Sequence, residues 1–322
     1  MKALMYLGTE QLELREIPEP DNEILVKVSG CGICGTDLKT WKVGHHLFKP
    51  PTVLGHESYG RVARVSAGSS WKVGDLVAIA PYYECGHCEA CTCGVPSLCG
   101  AKSYVDGGGF CEYIGLASAY AEKGLFRIPD DDAVFSLVEP LACVLNGDRR
   151  LRLGPSSRVL VVGGGPMGAL FALLYRARGV RVAVVEPAAA RRARISSWGI
   201  EALEPGAVQD RSYDNVVVAV NKSAVFDGYV RGVADGGTVL MFSGLPKGEG
   251  IPVDTYSIHY REVSLVGSFG YSLPQFREAL DLIQANRALF SSLITHRLPL
   301  AEGGEGFKLL DSGEALKIVL GS

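Results

Sequence analysis

The stretch RVLVVGGGPMG, residues 158–168, restricts the fold of this chain more than any other feature. An apolar run closed by glycines and followed by the helix-forming ALFALLYRARG reads as a strand, a tight turn and a helix. Gly163, Gly165 and Gly168 stand in the spacing G-x-G-x-x-G. The first permits the turn, the second lets backbone approach a pyrophosphate, and the third lets helix and strand pack closely. The start of that helix, at Pro166 and Met167, favours the negative charge. Strand and helix go on alternating through VRVAVVE, PAAARRARISSWG, NVVVAVN and GTVLMFSG, which implies parallel βαβ units. Glu186 ends the second strand, 18 residues beyond Gly168, where an acid can bind both ribose hydroxyls of NAD and would meet a 2′-phosphate as a like charge. The expected cofactor residues are therefore Gly163, Gly165, Pro166, Met167, Gly168, Glu186 and Arg191, with NAD expected over NADP. Arg191, Arg192 and Arg194 can accept the extra phosphate of NADP, but they also read as a solvated helix face, the reading preferred here. The bland alternative is a glycine turn in an α/β domain that binds nothing.

A chain of 322 residues is long enough for two domains at roughly 150 residues each. Up to about Pro129 the sequence reads as short strands broken by Gly and Pro: LELREI, EILVKVSGCG, ESYGRVARV and DLVAIAP. A helix is expected between Asp130 and Arg152, after an Asp130-Asp131-Asp132 cluster suited to capping it. GAVQDRSYDN, residues 206–215, reads as loop, so one crossover helix is missing. SLPQFREALDLIQANR is an amphipathic helix, followed by a polar connection and a closing KIVL strand. With 32 Lys+Arg against 35 Asp+Glu, the net charge of −3 makes no field that would attract nucleic acid. No apolar run approaches the ~20 residues of a membrane span, and the start, MKALMYLGTEQLELREI, is unlike a secretory signal. A cytoplasmic protein is expected.

Nine cysteines in a reducing compartment are read for metal or catalysis before disulfides. Cys85, Cys88, Cys91 and Cys99 follow C-x2-C-x2-C-x7-C. Four thiolates this close repel unless a cation neutralises them, and a closed set of four cysteines is what structural zinc takes. A ferredoxin-type run would need a cysteine where Val95 stands, just before Pro96, and fails there. Cys93 is a spare thiol within reach. Cys34 and His56 lie 22 residues apart, a spacing that alone means little, since a lone His is more often a core residue.

In order along the chain, GICGTD, VLGHE, the four-cysteine lobe, GGFCEY, VEPLACV and VVGGGPMG resemble the zinc-dependent medium-chain dehydrogenases/reductases over nearly the whole length. VEPLACV is most similar to the polyol, sugar and aminocyclitol branch. The resemblance implies an α/β protein with a GroES-like β domain at 1–131, completed by 269–322, and a Rossmann domain at 132–268. It implies two zinc ions, one structural in the cysteine lobe and one catalytic on Cys34, His56 and Glu139, with Glu57 close enough to exchange in. Cys143, one helical turn after Glu139, is the alternative third ligand. Hydride would pass between a secondary alcohol and NAD, with Thr36 relaying the proton and Asp37 orienting His56. Lys39 stands where certain alcohol dehydrogenases carry a relay histidine, so His45 or His46 is the candidate here; two adjacent loop histidines are also often simply exposed. Cys31 and Cys111 read as buried packing residues. Trp41, Phe48, Phe110, Phe269 and Tyr271 either shape a pocket or are core. REVSLVGSFG reads as the last strand of the Rossmann sheet, an edge that implies a homodimer or tetramer. The partner is a small alcohol or carbonyl compound. A biosynthetic dehydrogenase for an amino sugar or β-hydroxy amino acid shares these motifs, and a non-catalytic zinc and nucleotide binder is the reading from another class.

Overall fold

Val159, Leu160, Val161 and Val162 are all buried, as a strand covered on both faces demands. They belong to the central strand Arg158–Val162 of a six-stranded sheet in the computed structural model, which describes residues 1–321, the side chain of Asp227 excepted. The strands lie in the order Glu201–Leu203, Arg181–Val185, Arg158–Val162, Asn215–Val218, Thr238–Met241, Ser264–Gly267, every neighbour parallel. Numbered along the chain this is 3-2-1-4-5-6, the Rossmann order. Helices Pro166–Ala177, Ala189–Ser197 and Ser223–Gly232 supply crossovers. Between Leu203 and Asn215 a single 3₁₀ turn, Pro205–Ala207, stands where a crossover helix was expected to be missing. The helix Ser223–Gly232 was not legible in the sequence; it carries two glycines, and among its described side chains only Phe226 and Val230 are deeply buried. These elements form one compact unit, Cys143–Gly270.

The other unit joins Met1–Ala142 to Tyr271–Ser322. Its larger sheet runs Leu125–Arg127, Leu76–Ile79, Glu57–Arg64, Ile24–Gly32, Ile318–Gly321, His296–Pro299, with Tyr113–Leu116 also on Ile24–Gly32. A core including Val26, Val62, Val77, Phe110, Phe307 and Ile318 fills it. The expected helix after Asp130 is divided: Asp132 caps a 3₁₀ turn, Ala133–Leu137, through Val134 N–H at 3.0 Å, and the α-helix is Val138–Asp148. Residues 132–142 thus lie with this unit.

Helix Leu273–Ala285 starts on a reciprocal cap between Ser272 and Gln275, and the Glu84 carboxylate accepts from Leu273 N–H at 3.2 Å. Stacked Tyr82 and Tyr271, 4.4 Å between centroids, hold the same junction. The segment read as a polar connection after this helix contains a strand, His296–Pro299, and a helix, Gly303–Ser312. Its glycines hid it, since glycine lowers helix propensity by about 1 kcal/mol. They are there for close packing: a Cβ at Gly303 would overlap Leu4, and one at Gly306 would press Ile33. No helix among the described residues is long and apolar enough to cross a membrane.

Gly163 has φ +102°, and a Cβ at Gly168 would overlap the Gly163 carbonyl oxygen. Gly168→Ala should therefore cost about 1–3 kcal/mol, seen as a lower thermal midpoint. An unchanged midpoint would mean that helix and strand do not need this close approach.

Candidate active site

Three neighbouring strands bring their ends together in the first unit. Gly32 pairs with Glu57 on one side and with Val319 on the other. Cys34 follows the first strand as N-cap of helix Gly35–Val43, its Sγ accepting from Thr36 N–H at 3.5 Å. Glu57 opens the second strand with His56 directly before it, and Lys317 directly precedes the third. Cys34 Sγ, a His56 ring nitrogen and a Glu57 carboxylate oxygen all lie within 4.8 Å of one another.

Asp37, fully buried, stands behind this group. Its Oδ1 is 3.5 Å from His56 Nδ1 and accepts from Gly55 N–H at 3.2 Å, while Oδ2 accepts from Cys34 N–H at 2.9 Å. Burial works against a charged His56, but the Asp37 and Cys34 charges outweigh it and hold its pKa well above the ordinary value. Glu57 is buried; its Oε2 meets Lys317 Nζ in an ion pair, and its Oε1 has no hydrogen-bond partner. A thiol, an imidazole and an orphaned buried carboxylate oxygen form a donor set that suits zinc.

Glu139 is buried on helix Val138–Asp148 and falls outside the group within 4.8 Å, though its charge acts on Lys317. Cys143 is the first residue of the other unit. Thr36 is exposed beside Cys34. His45 is outside the metal-donor group; its Nδ1 accepts from Leu47 N–H at 3.2 Å and its ring lies against His46 and Phe48. Partial burial and the charges of His46 and Lys39 push its pKa down. Trp41, Phe110 and Tyr271 are buried, and Phe269 is exposed. Cys31 and Cys111 are buried too, and burial pushes both thiols up. Sequence reasoning missed Lys317: a lysine before an apolar strand reads as a solvent-facing end, and only its three-dimensional neighbours reveal otherwise.

The lobe cysteines form a closed set. Cys99–Cys85 and Cys88–Cys91 sulfurs are 3.5 Å apart, Cys88–Cys99 3.6 Å and Cys85–Cys91 4.0 Å. A tetrahedron of sulfurs around zinc at 2.3 Å has edges of ~3.8 Å. The amides of His87 and Cys88 bring the Cys85 thiol down to about 6, and burial with the neighbouring thiols pushes Cys91 up to about 12. Adjacent negative charges repel, and a zinc ion among the four sulfurs would relieve that repulsion. Cys93 is exposed and stands outside the set.

In the Rossmann unit Gly165 is the N-cap of helix Pro166–Ala177, with Pro166 and Met167 as its first residues, and a Cβ at Gly165 would meet only open space. That space is the cradle a pyrophosphate needs. Glu186 is buried, its Oε2 accepting from Gly164 N–H at 2.8 Å and its Oε1 from Ala188 N–H at 2.9 Å. Arg191 lies 3.9 Å from Oε2, whereas Arg192 donates to the Glu186 and Pro187 carbonyls and pairs with Glu204.

Residues 20–130 match the alcohol dehydrogenase GroES-like domain and residues 166–285 the zinc-binding dehydrogenase domain. The chain belongs to the zinc-binding alcohol dehydrogenase family, and is an oxidoreductase of the zinc- and nicotinamide-dependent kind. It is 31% identical to L-galactonate-5-dehydrogenase of Escherichia coli over 95% of this chain and 94% of that protein. It is 32% identical to D-altritol 5-dehydrogenase of Agrobacterium fabrum over 94% of each. A zinc-binding dehydrogenase of Sinorhizobium meliloti, solved bound to NADP, superposes with a TM-score of 0.88 at 28% identity, covering 100% of this chain and 99% of that one.

If both centres carry zinc, metal analysis of the purified protein gives two ions per chain, and Cys99→Ser gives one. Two ions retained in Cys99→Ser would break the assignment of the lobe.

Proposed function

We propose that the enzyme oxidises a secondary alcohol of a polyol or sugar acid, passes the hydride to NAD, and reduces the matching ketone in reverse. The observation that carries this is the gathering of Cys34, His56 and the buried Glu57 carboxylate where the ends of two neighbouring strands meet, in a chain whose relatives are named for L-galactonate and D-altritol. Cys34, His56 and Glu139 hold the catalytic zinc, with Glu57 able to exchange in. When bound, zinc polarises the alcohol oxygen and eases loss of its proton, while nicotinamide accepts the hydride. Thr36, exposed beside Cys34, takes the proton at its hydroxyl and hands it outward. His45, whose lowered pKa keeps it neutral near pH 7, is the outward acceptor. Asp37 fixes the His56 ring through its 3.5 Å contact at Nδ1. The Glu186 carboxylate beside Gly164 repels a 2′-phosphate and favours NAD, even though the Sinorhizobium meliloti protein was solved with NADP.

The Rossmann edge strand Ser264–Gly267 has one paired neighbour among the described residues. Pairing through it gives a homodimer or tetramer. Light scattering should return two or four times the chain mass of 34.3 kDa; a single-chain mass would dispose of the idea.

An assay of NAD reduction over polyols, sugar acids and simple alcohols tests the reaction. Turnover is expected on polyhydroxylated secondary alcohols, with kcat/KM at least about tenfold higher for NAD than for NADP. Thr36→Ala should lower kcat by about 10²-fold while keeping its zinc. Activity confined to long-chain primary alcohols would reject the substrate class, and a clear preference for NADP the role of Glu186.

A further inference from the structure

The helix after Cys34 and the loop that follows it are basic in a chain whose net charge is −3: residues 38–55 hold three lysines and two histidines and no acid. Lys42 is spoken for, its Nζ 2.7 Å from Asp311 Oδ1. Lys39 is exposed and has no ion-pair partner among the described residues. It stands one turn after Thr36 on helix Gly35–Val43, and side chains at that interval are neighbours on one helix face, with Cβ atoms roughly 5–6 Å apart. The loop beyond the helix is held in shape. Phe48 N–H donates to the His45 carbonyl at 3.2 Å, the Phe48 ring packs on the core of this unit, and the His45 and His46 rings lie 4.5 Å apart. Of the two lysines without a partner here, Lys39 is the one whose charge acts on His45, so the lysine and the histidine pair share one patch.

Asp37, the acid nearest in sequence, does not neutralise this patch: it is buried and already accepts from the Cys34 and Gly55 amides. An ammonium carries three N–H donors and a full charge, and an imidazole adds an N–H beside it. Such a group is completed by an anion. One fixed charge matches a carboxylate, whereas a phosphate with close to two charges near neutral pH calls for a second fixed cation. We propose that Lys39 and His46 receive the carboxylate of a sugar acid, so that the enzyme prefers aldonates to the neutral alditols that share their hydroxyl groups. This rests on the reading that the Cys34 and His56 centre oxidises a secondary alcohol of the same molecule. Thr36 then meets the reacting hydroxyl while Lys39, one turn further, holds the acid end. An open-chain substrate fixed at two points is oriented at the reacting carbon.

The test measures kcat/KM of the zinc-loaded full chain for aldonates and alditols paired by configuration, each pair differing only at the terminal carbon. The best aldonate should exceed its alditol about tenfold, the effect of one hydrogen bond to a charged group, and the ratio should fall as salt is raised. Lys39→Met should lower that ratio about tenfold through KM for the acid, His46→Leu should lower it by a smaller factor, and Lys39→Arg should keep it. A packing defect would depress both members of a pair alike and leave the ratio unchanged, which overturns the proposal. Wild-type enzyme that uses alditols as well as aldonates also overturns it, even where Lys39→Met fails to fold, and so does faster turnover of a sugar alcohol phosphate than of the aldonate. Failure of the underlying reading looks different: neither aldonates nor alditols are oxidised. Calorimetric titration of the NAD-loaded enzyme with the aldonates then stands alone. Binding weakened about tenfold by Lys39→Met supports the carboxylate site, and absent or unaltered binding overturns it.

Discussion

Negative charge gathered away from water has to be matched, and the first unit gathers it twice. In the cysteine lobe four sulfurs sit at the edge lengths of a metal tetrahedron. Around Cys34 the anions are of mixed kind: a thiol, the Glu57 carboxylate, and Asp37 behind His56. The two clusters are balanced differently. The lobe holds no protein cation within its set and depends on a metal, whereas the Cys34 centre has Lys317 built into its floor. A structural zinc needs a closed shell and a catalytic one an open position.

The Rossmann unit meets a related problem with backbone instead of side chains. Its turn must place N–H groups toward an anion, so atoms beyond the backbone have to be absent there. Gly168 is glycine because helix and strand touch, Gly163 because the turn has a positive φ, and Gly165 because the space above it is left free. Glu186 then bonds the amide of Gly164, so the acid that ends the second strand also braces the turn.

Much of this was legible in the sequence because it depends on local spacing. The glycine turn, the parallel strands, the missing crossover and the cysteine lobe each follow from residues a few positions apart. What escaped depends on long-range contact. Helix Gly303–Ser312 was concealed by glycines that serve packing against Leu4 and Ile33, both distant in sequence. The helix after Asp130 carried a true cap signal, yet its first turns formed as 3₁₀. In the candidate site, Cys34, His56 and Glu57 could be named from their motifs, but the structure brings Glu57 into the donor group and leaves Glu139 outside it. Lys317 could not be named at all, because strand pairing 284 residues away from Ile33 is what buries it.

The two units differ in how their sequence is arranged. Residues 143–270 are continuous, whereas the unit bearing the metal centre takes its last strand from beyond them. During synthesis the Rossmann unit can fold as soon as it has emerged, but the strand beside Gly32 is missing until the ribosome has passed Ile318. The Cys34 centre is therefore assembled last. Until then Glu57 lacks the cation that Lys317 gives it in the finished protein.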